Sequence, residues 1–196
     1  LSLHDALPIF SRSAPPWLGT APVTHPGAAL VEFAAAAKAF REVGDELGVA
    51  TQRGNVGFMH VELGEWAEAE RALREALDIA DRYRLSGLGA FAKHNLGLAL
   101  GRQGRLDEGQ RMEAEAVQAY RLEGNRRLEG GSRIYLATIL AAAGQLGAAE
   151  EQAQEAIALA ALHPPVLAHA LATLADIWLL LGRARDAVQP AEEAVR

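Results

Sequence analysis

The chain has 196 residues, half of them apolar but only 6% aromatic, with no cysteine and a net charge of −6. The missing cysteine excludes a disulfide framework, a thiolate metal site and a cysteine nucleophile. Acids and bases alternate along the chain, which excludes the basic stripe that gripping a phosphate backbone requires.

Ala and Leu dominate, and both stand high in helix propensity, while Val, Ile and Thr are too scattered for a sheet. The longest uncharged apolar stretch, Ile134 to Ala143, is ten residues long, about half of a membrane span. No secretory-signal order of charged, apolar and small residues opens the chain. The expectation is a soluble cytoplasmic protein without a membrane segment.

Residues 1–26 carry Pro8, Pro15, Pro16, Pro22 and Pro26, each of which removes a backbone donor and restricts its predecessor. The segment reads as a disordered terminus, or as an artefact: its opening Ser2-Leu3-His4-Asp5-Ala6-Leu7-Pro8-Ile9 resembles translated sequencing-adapter read-through. Neither reading puts chemistry there. From Gly27, Leu30, Phe33, Ala36, Ala37 and Phe40 recur at helical spacing, and Gly44 ends the helix. Phe40-Arg41 and Gly44-Asp45 return as Tyr120-Arg121 and Gly124-Asn125, 80 residues on. Residues 27–49 therefore read as the second half of a repeat.

Four fuller copies follow, at about 50–86, 87–129, 130–165 and 166–196. Gly64, Gly104, Gly144 and Gly182 recur at intervals of 40, 40 and 38. Ala69, Gly109, Ala149 and Ala187 stand five residues after them, and Ala76, Ala116, Ala156 and Ala194 twelve after. Each copy predicts two helices broken at the glycine, with small residues where the helices approach closely. In the first copy Val56, Met59, His60 and Leu63 form the stripe of one helix, and Ala69, Ala72, Leu73, Ala76 and Leu77 that of the next. Exposed i,i+4 pairs are expected between Glu70 and Arg74 and between Arg71 and Glu75, worth a few tenths of a kcal/mol each. Ala191, Ala194 and Val195 make an apolar face that nothing after Arg196 covers, so the array reads as part of a longer one. Pro190 should kink or weaken the last helix.

The motifs Val56-Gly57-x2-His60 with Ala69-x3-Leu73, Leu96-Gly97-x2-Leu100, Leu136-Ala137-x2-Leu140 and Leu174-Ala175-x2-Trp178 resemble the tetratricopeptide repeat over residues 50–196. The family's tryptophan position holds Arg53, Lys93, Arg133 and Leu171, the second-helix aromatic is lost, with Glu113 in one copy, and the period exceeds the family's. The variant is similar to the long-helix arrays of bacterial signalling proteins and ATPase-type transcription regulators. The resemblance implies an all-α fold: a right-handed superhelical array of antiparallel helix pairs, an α-solenoid.

Catalytic signals are weak. His60 reads as a satisfied core residue. His163 and His169 lie six apart around two prolines, which is not a ligand spacing on one helix face. Gly87-Leu88-Gly89 lacks both the third glycine and a preceding strand, and no phosphate-loop motif occurs. Glu62, Glu65, Glu68 and Glu70, with Glu150 and Glu151, read as solvated surface. The expectation is a non-enzyme without cofactor or metal.

The tetratricopeptide resemblance further implies a concave groove lined from the first helix of each repeat. In this register it consists of Asn55, Phe58 and Glu62; Phe91, His94, Asn95, Leu98 and Arg102; Tyr135 and Thr138; and His169, Thr173 and Asp176. Such a floor suits a peptide or helix, unless Phe58, Phe91 and Tyr135 merely pack between neighbouring helices. The implied function is a protein-interaction or ligand-sensing scaffold with a protein or peptide partner, no nucleic-acid contact, and possible self-association through exposed array ends. The alternative is a regulatory arm of a nucleotide-hydrolysing enzyme or transcription regulator whose working domains lie elsewhere.

Overall fold

Alanine, leucine and the repeating glycines produce one kind of element only. A computed structural model describes residues 25–195, so the expectations for the proline-rich segment up to residue 24 lie outside the described residues. Among the described residues there are nine helices and no strand: α1 (Pro26–Glu42), α2 (Glu46–Leu63), α3 (Trp66–Tyr83), α4 (Ser86–Arg102), α5 (Leu106–Leu122), α6 (Arg126–Ala142), α7 (Leu146–Ala160), α8 (Pro164–Leu180) and α9 (Ala184–Ala194).

The links are two or three residues long, which turns each helix back along its predecessor. Gly44, Gly64, Gly104, Gly124, Gly144 and Gly182 all adopt positive φ, between 69° and 79°. This is the left-handed helix terminator that glycine enters without a Cβ penalty. The next residue then donates back to the carbonyl five positions earlier: Glu65 to His60 at 2.9 Å, Gln145 to Leu140 at 2.9 Å and Arg183 to Trp178 at 2.8 Å. After two of these glycines an Asx residue caps the following helix. Asp45 accepts from Gly48 N at 2.9 Å and Asn125 from Leu128 N at 3.2 Å, satisfying donors the first turn leaves open. The Gly-Asx pairs 80 residues apart are thus one hinge used twice. Arg84 ends α3 in the same left-handed region without being glycine.

The described residues form two compact units divided after Gln103. In the first, each of α1 to α4 packs on the next, and α2 also lies beside α4. Met59, Leu73, Leu96 and Leu100 are fully buried, at roughly 2 kcal/mol of transfer free energy per side chain. Val49, Ala50 and Ile79 form a further cluster sealed by Phe40 and Leu88. Leu63, expected on the α2 stripe, is instead exposed beside the terminating glycine. In the second unit α5 to α9 again pack in order, with α6 beside α8. Ala137, Ala149 and Ala153 meet Leu174 and Ile177 in one cluster, and Ile134, Ala156 and Ala170 form another. The alanine columns allow this approach: Ala69, Ala76, Ala116, Ala149 and Ala156 have no exposed surface.

In two of the four copies the tryptophan position is filled by a charge link. Arg53 Nε lies 2.6 Å from Glu75 of α3, which also meets Arg41 of α1. Arg133, 7% exposed, lies 2.9 Å from Glu129, 2.5 Å from Glu155 of α7, and donates to Gln152 at 2.6 Å. The expected Arg71–Glu75 pair is therefore not formed: Glu75 is drawn across to α2 and α1, and Arg71 pairs with Glu68 at 3.2 Å. Arg74 and Glu70 do pair, at 2.8 Å.

The glutamates read as solvated surface are also partly structural. Glu65 accepts His60 Nδ1 at 2.6 Å. Glu150 receives Trp178 Nε1 at 2.7 Å and Arg183 at 2.8 Å. The Trp178 hydrogen bond, then those and the charge of Arg183, hold its carboxyl below the usual range. α9 runs through Pro190, which is buried.

Candidate functional site

In the first unit the groove expectations fall on α2 and α4, which lie side by side. Phe58 and Phe91 meet edge to face, their ring centroids 6.2 Å apart at 65°, a geometry that aligns ring edge with ring face. Gly54 makes room for this pair, since a Cβ there would come within 3.3 Å of the Phe91 ring. Phe91 is buried, while Phe58, His94 and Leu98 are half-buried and Glu62 is exposed. Asn95 is buried and donates to Phe91 O at 3.0 Å. Asn55 is buried too: its Nδ2 donates to Gln52 at 3.3 Å, and its Oδ1 accepts no hydrogen bond among the described residues. Desolvation raises the Glu62 carboxyl above its ordinary range. Arg102 lies with its guanidinium 5.7 Å from the Trp66 ring centroid on α3, so the only basic groove candidate is anchored on an aromatic face.

In the second unit the candidates fall on α6 and α8. Tyr135 is buried against His169, ring centroids 6.1 Å apart at 80°. Burial lowers the His169 pKa to about 4, so the ring is neutral at pH 7. Thr138 and Thr173 donate to the carbonyls of Ile134 and His169 on their own helices, at 3.0 and 2.9 Å. Asp176 is exposed and lines a cleft shared with α9; desolvation raises its carboxyl. Phe91 and Tyr135 thus do pack between neighbouring first helices. Phe58, His94, Leu98 and Glu62 keep surface on the α2–α4 face.

The comparisons with known proteins bear on this arrangement. The tetratricopeptide repeat family model matches residues 49–82, the span of α2 and α3. One tetratricopeptide repeat is thus recognised, over α2 and α3. No curated protein matches its sequence. Among solved structures, the tetratricopeptide fold here is similar to BtubC (BKLC) from P. vanneervenii at 14% identity and a TM-score of 0.70, covering 87% of this chain and 80% of that one. It is similar to nearly identical repeats from Podosopora anserina at 16% identity and 0.63, covering 87% and 95%. It is also similar to a signal transduction ATPase with numerous domains and a tetratricopeptide repeat sensor, from Pyrococcus horikoshii, at 19% identity and 0.72. There it covers 87% of this chain and 27% of that one.

Two features of this tetratricopeptide array escaped sequence reasoning. The Arg53–Glu75 and Arg133–Glu155 links join residues 22 positions apart on different helices. The recurrence of Arg at 53 and 133 with Glu at 75 and 155 is the signal that could have found them. The Glu150–Trp178 bond joins successive repeats, and no local spacing rule reaches that far. Among the described residues no helix is long and apolar enough to cross a membrane.

Proposed function

We propose that this tetratricopeptide-like scaffold, of a kind suited to protein–protein interaction, is a non-catalytic binding or ligand-sensing module of a bacterial regulatory protein, and that it takes a peptide or helix on the inner faces of its first helices. The observation that carries the reading is the Phe58–Phe91 pair: Phe91 is buried, and the Phe58 ring set edge to face against it stays half-exposed on α2. A held aromatic loses little entropy on binding and is the kind of anchor that dominates interface energetics.

Panning the chain against a displayed library of twelve-residue peptides tests this. Selected peptides should lose at least tenfold in affinity to Phe58→Ala and less to Arg111→Ala, an exposed control on α5. Equal binding to both variants would refute the assignment. The similarity to the sensor of the Pyrococcus ATPase favours a second reading, a regulatory arm of a nucleotide-hydrolysing protein. A phosphate-loop motif encoded in the same gene would support it, and a complete gene without one would remove it.

A further inference from the structure

Thr51, Asn55, Phe58 and Glu62 follow one another along α2 at intervals of three and four, and so share one face of the helix. Glu62 is the charged residue of that row. Phe58 stands one turn before it, half-exposed, with its ring set edge to face against Phe91 of α4. Glu62 keeps solvent-exposed surface, yet neighbouring protein takes enough water from its carboxyl to raise it above the ordinary range. Burial is the sole cause of that shift, so neither Lys93, His94 nor Arg102 of α4 offsets it. Arg102 holds the position of Glu62 in the next repeat, 40 residues on, and its guanidinium lies over Trp66 of α3 instead. Arg53, the arginine of α2, meets Glu75 at 2.6 Å. The α2 face therefore presents a held aromatic ring and, one turn on, a carboxylate that no cation among the described residues neutralises.

Three kinds of side chain would meet this pair differently. An apolar anchor suits the ring, but it would cover a carboxylate and leave it unpaired, which is costly. An acidic side chain adds repulsion to that cost. An arginine meets both demands: its stem packs along apolar surface, its guanidinium plane stacks on an aromatic face, and its fork donates to a carboxylate. The separation of one helical turn, about 6 Å between the two Cβ atoms, suits a single long side chain. We propose that Phe58 and Glu62 form a cation subsite on the α2–α4 face, which selects a peptide that places an arginine there. This rests on the peptide-binding reading of that face and adds the sign of the partner's charge, since charge complementarity decides specificity at such a contact.

The test pans two display libraries of twelve-residue peptides against the full chain, one with arginine and one with glutamate fixed at the sixth residue. Recovery from the arginine library should exceed the other by about fivefold or more, the upper range for an exposed ion pair. In Glu62→Gln the ratio should fall to about twofold or less, and in Glu62→Lys it should invert. Glu32→Gln removes the same charge from an exposed position on α1 and should leave the ratio unchanged. Glu62 is exposed too, and circular dichroism should show the helix content of its variants unchanged. Equal recovery from the two libraries, a ratio unmoved by Glu62→Gln, or one moved as far by Glu32→Gln would overturn the proposal. If the recovered peptides then still lose affinity to Phe58→Ala, the groove reading stands and the cation subsite alone falls. Peptides indifferent to Phe58→Ala, or none recovered from either library, would remove the groove reading and the subsite with it.

Discussion

Gly57 and Gly131 both sit inside helices of the repeat, and their surroundings differ. A Cβ on Gly57 would lie 2.5 Å from Leu73 Cγ and 3.3 Å from the Leu73 backbone nitrogen, whereas one on Gly131 meets nothing within 4 Å. Gly57→Ala must push α2 off α3, at about 1–3 kcal/mol. Gly131→Ala should stabilise by about 0.5–1 kcal/mol, because it only restricts the unfolded chain. Denaturant midpoints that move in opposite directions would bear this out, and a parallel shift would disprove the packing assigned to Gly57. His169 is a pH-sensitive point. Its folded pKa of about 4 lies below the ordinary 6.5, so below pH 6.5 the unfolded chain binds a proton that the folded chain refuses. Stability is thus unaffected above 6.5 and falls as the pH drops from 6.5 towards 4. In His169→Gln the difference between urea midpoints at pH 7 and pH 5 should shrink. The raised carboxyls of Glu62 and Asp176 act with the opposite sign, since they hold a proton more readily folded than unfolded.

Buried alanines line the helix contacts, and in two pairs a charge link is added, Arg53–Glu75 between α2 and α3 and Arg133–Glu155 between α6 and α7. Arg133 is more deeply placed than Arg53, its side chain 9% exposed against 24%. Removing a partner from a buried cation costs more than removing one from a partly solvated cation. Glu129→Ala should therefore cost about 2–4 kcal/mol, less than a fully stranded charge because Glu155 and Gln152 remain. Glu75→Ala should cost less than Glu129→Ala, and thermal melts that reverse this order would contradict the burial argument. At this scale the helices were legible and the links were not. Glycine spacing placed six of the eight breaks, because left-handed termination is a local demand of one residue; the links after α3 and α7 contain no glycine. The Arg71–Glu75 expectation followed an equally local rule and failed: α2 and α1 bring two arginines to Glu75, which one helix's sequence does not show.

Each repeat in such an array is stabilised by the neighbours it touches, so stability need not be uniform along the chain. Among the described residues α9 packs on α8 alone, buries only Ala187 and Pro190, and lacks the Pro190 amide as a donor. α3 packs between α2 and α4 and buries Ala69, Ala72, Leu73, Ala76, Ile79 and Ala80. Amide exchange in α9 should be at least tenfold faster than in α3 under native conditions. Equal protection would mean that α9 draws support from a surface beyond α8, and the α8–α9 cleft would be the first place to look.

Period, helix class and joint positions followed from the amino-acid sequence alone, because propensity, small-residue columns and positive-φ glycines act within a few residues of themselves. The groove register also came from the sequence, through its likeness to the tetratricopeptide pattern, but exposure within the groove did not. Only the tertiary structure buried Phe91 and Tyr135 between helices, left Phe58 half-exposed, turned Arg102 onto Trp66 and recruited Glu150 to Trp178. Each of these outcomes depends on a side chain from another helix, and such distances are set by packing rather than by spacing along the chain.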